Sequence, residues 1–168
     1  QDMRRVEKEP LGEEEEEKFG AMDLDEVLDL LDWVDTVSTG QANSQILSPQ
    51  VSRLQKSILF QDRFMSKSNN VLTAYDANEG SLHVLFLLTM AMHPLAPRMF
   101  AVENFDQALN PRLARTTADL FSEAILANPR SPLVFLTTHH PLVLDGLDFH
   151  DERIRLFAVD RNRQGHTT

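Results

Sequence analysis

The chain has no cysteine among its 168 residues, so disulfides and thiol chemistry are both excluded. No apolar stretch approaches the roughly 20 residues needed to span a bilayer. The N-terminus lacks a positively charged lead into an apolar core and so does not read as a secretory signal. The sequence shows no internal repeat. These absences leave a soluble, cytoplasmic protein without a membrane partner as the expectation. Its length suits one ordinary domain with enough core to fold.

Charge is present but unevenly placed. Residues 1–35 hold 14 acidic and 4 basic side chains, whereas the remaining 133 hold twelve of each. The whole net charge of −10 therefore belongs to one end of the chain. Glu13 to Glu17 is a like-charge block that repels itself and stays solvated. We divide the chain into an acidic, flexible arm at 1–22 and a lobe at 23–168. The lobe is close to neutral, so the low overall pI does not argue against contact with nucleic acid.

Asp23 to Val34 carries Leu24, Val27, Leu28 and Leu31 at helical spacing and predicts an amphipathic helix. Trp33 would anchor it. Thr36 to Gln50, rich in Ser, Gly, Asn and Gln, reads as a loop. Ser57 to Phe64 alternates as an edge or half-buried strand would, with Leu72–Tyr75 as its partner. The most apolar segment, Leu82 to Met92, predicts a buried helix stopped by Pro94. Strand 99–102, helix 111–127, strand 133–138, a short helix after Pro141 and strand 154–159 follow. This alternation predicts an α/β fold, a mostly parallel sheet with flanking helices.

Two apolar runs end abruptly in polar groups: Met99–Val102 in Glu103-Asn104, and the run from Leu133 in Thr138-His139. Parallel strands place their carboxyl ends side by side, where ligands bind. A carboxylate there can hold Mg²⁺ directly or through water. An imidazole on the neighbouring strand can donate to a terminal phosphate. Asp76-Ala-Asn-Glu-Gly-Ser81 opens a helix, where free N–H groups and the dipole favour phosphate. Each signal taken singly is more often structural, and their order together carries the reading. His139, His140, Asp148, His150 and Asp151 also cluster in sequence, but adjacent strand histidines point to opposite faces, which argues against a metal cage. Arg112 and Arg115 stand one helical turn apart, a spacing that suits either a solvated face or nucleic acid.

From about Leu54 to Gly165 the chain resembles the C-terminal half of an ABC-type ATPase head of the RecF/SMC/OLD-like "AAA family ATPase" group, a P-loop NTPase fold. Asp76-Ala-Asn-Glu-Gly-Ser-Leu82 resembles the signature motif and Val102-Glu-Asn-Phe-Asp106 resembles Walker B. Ala108-Leu-Asn-Pro111 resembles the D-loop, and Thr137-Thr-His-His-Pro141 the switch-histidine loop. The four motifs occur in the family's order. The resemblance implies ATP and Mg²⁺ as cofactors, with Glu103 as the metal-supporting acid and His139 as γ-phosphate sensor. It implies that Asn78, Gly80 and Ser81 reach the nucleotide of a second subunit, and that Leu109 and Asn110 connect the two sites. Such heads form homodimers or higher oligomers around ATP, serve DNA repair or phage defence, and work with a nuclease or other effector and with DNA.

Two positions depart from the pattern. Asn104 stands where the family carries a catalytic glutamate, and an amide can orient water but cannot take its proton. Either hydrolysis is slow and ATP acts as a dimerising clamp, or Asp106 serves as base; a cap on the next helix is the structural alternative for Asp106. Asn78 stands at the signature serine and retains a hydrogen-bond donor. No Gly-x-x-x-x-Gly-Lys-Ser/Thr occurs in the chain, which predicts that the phosphate loop lies on another part of a longer polypeptide. Competing readings are a catalytically silent scaffold and an α/β interaction domain without nucleotide.

Overall fold

The computed structural model describes residues 28–40 and 56–167; the acidic arm and the first residues of the predicted amphipathic helix lie outside them. In chain order the elements are β1 (Val34–Gly40), β2 (Ser57–Asp62), β3 (Val71–Thr73), α1 (Glu79–Met92), β4 (Met99–Val102), α2 (Pro111–Ala127), β5 (Leu133–Leu136) and α3 (Pro141–Leu144). The α/β class holds, but the predominance of parallel pairing does not among the described residues. β1, β2 and β3 form an antiparallel sheet with β2 in the centre, while β4 and β5 form a separate parallel pair.

β1 corrects two expectations. Residues 28–30 are helical, yet the chain turns at 31–33, and Val34 already begins a strand instead of ending a helix. Residues 36–40, expected in a loop, continue that strand; 41–50 lie outside the described residues. Val34, Thr36, Val37 and Thr39 are β-branched and suit a pleated surface despite their polar neighbours. β2 then has a neighbour on both sides, which is why it is central and not an edge.

The antiparallel sheet is tied to α1 through Trp33. Its ring lies 5.6 Å from that of Phe60, and its indole N–H donates to Ser81 Oγ at 3.1 Å. Trp33 thus pins the sheet to the first turn of α1, a larger role than anchoring a helix. Trp33→Phe keeps one aromatic ring and removes both the donor and the rest of the indole. It should cost at least about 1 kcal/mol and lower the thermal midpoint by roughly 2–4 °C or more, as read by calorimetry. An unmoved midpoint would show that the bond carries no net stability.

α1 begins at Asn78, whose side-chain carbonyl accepts from the Ser81 N–H at 2.7 Å, and stops at His93 before Pro94. Val84, Leu87, Leu88 and Ala91 are buried. α2 begins at Asn110, whose side chain accepts from the Leu113 N–H at 2.9 Å, with Pro111 preset for the first turn. Its Ala114, Thr117, Ala118 and Phe121 face the core. Small residues let α3 approach closely: a Cβ at Gly146 would stand 2.2 Å from the Arg115 carbonyl oxygen.

Between the helices sits one apolar cluster including Val102, Phe105, Phe121 and Val143. One face of the parallel pair, with Phe100, Val102, Val134 and Leu136, belongs to it; Met99, Leu133 and Phe135 on the other face are exposed. The strand expected at 154–159 is absent. Its alternating apolar residues are present, but no backbone ladder pairs with them, and Leu156, Phe157 and Val159 are largely exposed. Among the described residues no helix is long and apolar enough to cross a membrane.

Candidate functional site

β4 and β5 run in parallel register, with Val102 opposite Leu136. The next residues of each strand therefore leave the sheet at the same carboxyl edge. The Thr137 N–H donates to the Val102 carbonyl at 3.0 Å, which carries the ladder one step past the strands. Thr137 then receives the other chain: its carbonyl accepts from the Phe105 N–H at 2.9 Å and its hydroxyl from the Asn104 N–H at 3.0 Å. Glu103 and His139, the two residues that the sequence singles out, stand on these interlocked loops, and both are exposed.

Asn104 has φ 51°, in the left-handed region that asparagine enters more readily than most residues. The turn it makes sends Phe105 inward, where the ring is fully buried against Phe121 (centroids 5.5 Å apart, 68° between planes). It also sends Asp106 toward the loop after β5. There the Thr138 hydroxyl donates to Asp106 Oδ1 at 2.5 Å. That hydroxyl holds the carboxyl below its ordinary range, against partial burial, with help from the Asp106 and His139 N–H groups and the nearby His140. The ionised form contributes stability at pH above the ordinary carboxylate range, and this is lost as pH falls through the depressed value. The alternative of a helix-capping Asp106 is corrected: Asn110 caps α2.

The start of α1 rests against the same loop. A Cβ at Gly80 would lie 2.6 Å from the Ala108 carbonyl oxygen, so only glycine allows this approach. Gln107 donates to Glu79 at 3.2 Å, and His83 Nε2 lies 3.1 Å from the Phe105 carbonyl. Of the residues expected to reach a nucleotide, Gly80 and Ser81 are buried and packed inward, Ser81 Oγ against the Trp33 N–H. Asn78 is exposed, with its carbonyl occupied by the cap. Leu109 packs on the apolar core, and Asn110 is the cap of α2. The first turn of α1 and the 103–110 loop are thus one packed unit, and both adjoin the edge that carries Glu103 and His139.

The remaining polar clusters are taken up by the fold. His140 Nδ1 accepts from the Leu142 N–H at 3.2 Å and caps α3. Asp148 accepts from the His150 N–H, and Asp151 pairs with Arg153 at 2.6 Å, which brings its carboxyl down to about 2. Among the described residues no three His, Asp or Glu side chains converge on a metal position. The edge itself offers one exposed carboxylate, Glu103, and one exposed imidazole, His139. That donor set fits a divalent cation that shares ligands with a phosphate group, not one caged by protein alone. Sequence reasoning placed Thr137, Thr138 and Phe105 within its motifs but gave them no role; the paired hydroxyls preceding two histidines at a strand end were the signal for the first two.

Comparison with curated proteins and with solved structures finds no match. A family profile described as an AbiEii toxin-like AAA domain, type IV toxin–antitoxin system, matches residues 4–145. That span includes β4, β5, both their terminal loops and the whole of α1 and α2. With most of its length matched, the chain belongs to this family of AAA domains, nucleotide-binding and ATPase-type in character and α/β in fold.

Proposed function

We propose that the carboxyl edge of β4 and β5 is the phosphate-facing part of an ATPase head of the RecF/OLD type. Two copies close around ATP, and hydrolysis releases them. The observation that carries this reading is the parallel register that sends Glu103 and the Thr137–His139 loop out of one edge. Glu103 would hold Mg²⁺, which when bound neutralises charge on the phosphates. His139 would donate a hydrogen bond to the terminal phosphate, as charge there is completed by fixed donors. The first turn of α1 and the 103–110 loop would face the second copy with Asn78, Gly80 and Ser81, the latter two through backbone. Leu109 and Asn110 would link the two nucleotides. The phosphate loop would come from a part of the protein beyond this sequence. The setting is cytoplasmic, and the purpose is defence against phage or DNA repair, with a nuclease or other effector acting on DNA.

Asn104 and Asp106 favour a second reading. An amide at 104 takes no proton from water, and the Asp106 carboxylate is engaged by Thr138. ATP would then hold two heads together as a scaffold for an effector, with little turnover. Phosphate release and ATP-dependent dimerisation, measured on one sample of the complete protein, separate the readings. Dimerisation with release supports the first, and dimerisation without release supports the second. No ATP binding at all overturns both.

A further inference from the structure

We propose that Asp106 is a positioning residue, a latch that fastens the Thr138–His139 turn to the loop after β4 and so sets where the His139 imidazole stands on the edge that also carries Glu103. This rests on the reading of the β4–β5 edge given above for what His139 does, but the latch itself is visible in the fold. The two loops are joined by three hydrogen bonds of two kinds. Thr137 takes the Asn104 and Phe105 N–H groups and fixes the backbone at the strand ends. Asp106 takes the Thr138 hydroxyl at 2.5 Å, one step further out. The Thr138 hydroxyl in turn accepts from the His140 N–H at 3.0 Å. One carboxylate therefore orders Thr138 directly and His140 through its hydroxyl, the residues on either side of His139.

The arrangement is directional. Thr138 spends its one proton on Asp106, so its lone pairs are left for the His140 amide. Remove the carboxylate, and the hydroxyl has no fixed acceptor and the turn loses its tie to the loop after β4. His139 carries no side-chain hydrogen bond of its own in the structure, so its orientation is inherited from the backbone on either side. A latch with an ionised acceptor is also stronger than one between neutral groups. This explains why a carboxylate sits at 106 without capping α2. It also removes Asp106 from the pool of free bases, because its Oδ1 is already committed.

The experiment uses the complete protein with Mg·ATP as the probe, comparing Asp106→Ala, Thr138→Val, the double variant and Asp106→Ala in a His139→Ala background. Each single variant should lower turnover about tenfold, since misplacing a reacting group by about an ångström costs up to about a hundredfold. Apparent ATP affinity should stay within about threefold. The double variant should lose no more than either single, because the two residues form one unit. In the His139→Ala background Asp106→Ala should cost nothing further. Additive losses, or an undiminished loss without His139, would overturn the latch.

Amide exchange decides the point independently of turnover. The His140 N–H, held by the Thr138 hydroxyl, should exchange at least about tenfold faster in Asp106→Ala, while the Phe105 and Thr137 amides keep their protection. Unchanged exchange at His140 overturns the proposal. Faster exchange in a protein that neither binds nor hydrolyses ATP would support the latch while refuting the nucleotide reading. Asp106→Asn keeps an acceptor and the side-chain shape, so it serves as the folded control if the alanine variant does not accumulate; its His140 amide should exchange at an intermediate rate, and a rate equal to wild type would overturn the need for charge.

Discussion

Glu103→Gln in the complete protein should lower Mg·ATP turnover by about a hundredfold or more, with the fold intact. The substitution preserves size and one acceptor oxygen but removes the negative charge, the property by which a strand-end acid would hold a divalent cation. Glu103 is exposed and has no hydrogen bond that a glutamine would break, so stability should change by no more than about 0.5 kcal/mol. That separation makes the variant informative: a loss of turnover cannot be put down to unfolding. ATP binding should weaken less than turnover, because other donors hold the triphosphate while the charge on Glu103 matters most as phosphate charge shifts. Steady-state phosphate release, read beside equilibrium binding of a fluorescent ATP analogue, checks both. Wild-type turnover in the variant would count decisively against the β4–β5 edge as the reacting site.

What the sequence disclosed at this edge, and what it concealed, have separable causes. β4, β5 and α2 are each marked locally: short apolar runs that stop at polar residues, and a helix announced by Asn110-Pro111. Those signals need no partner to be legible. β1 was hidden because Val34–Gly40 mixes β-branched residues with Asp, Ser and Gly, and its order comes from pairing with β2. Residues 154–159 show the reverse, a good strand pattern with no ladder to join. At the site, the neighbours in sequence were readable but not their directions. Nothing local says that Ser81 turns in to Trp33, 48 positions away, or that Asp106 reaches Thr138, 32 positions away. The left-handed turn at Asn104 precedes Asp106 and sends it toward the Thr138 loop, and position 104 is not a glycine that would have advertised it.

The same turn at Asn104 makes Phe105 the residue on which the edge and the core jointly depend. Phe105→Ala should destabilise the chain by about 3–5 kcal/mol, the range for deleting a fully buried aromatic ring. The ring is wholly inaccessible and meets Phe121 edge-on, and Phe121 in turn meets Phe100 of β4 at 6.4 Å, so the cavity would open at one end of an aromatic row. Against a total stability of about 5–15 kcal/mol this is about a fifth or more, and the thermal midpoint should fall by roughly 10 °C. The functional consequence follows from position. Phe105 donates its N–H to Thr137, its carbonyl lies against His83 of α1, and its two neighbours carry the turn and the Asp106 latch. Without the ring, the loop keeps only Leu109 as an apolar anchor, so hydrogen exchange at Asn104 through Asp106 should accelerate before global unfolding does. Phe105→Leu refills most of the volume and should cost under about 2 kcal/mol while restoring that protection. Urea denaturation of the two variants, with exchange followed residue by residue, measures both. A penalty below about 1 kcal/mol for the alanine variant would mean that the core closes over the gap and that the loop is held by its hydrogen bonds alone.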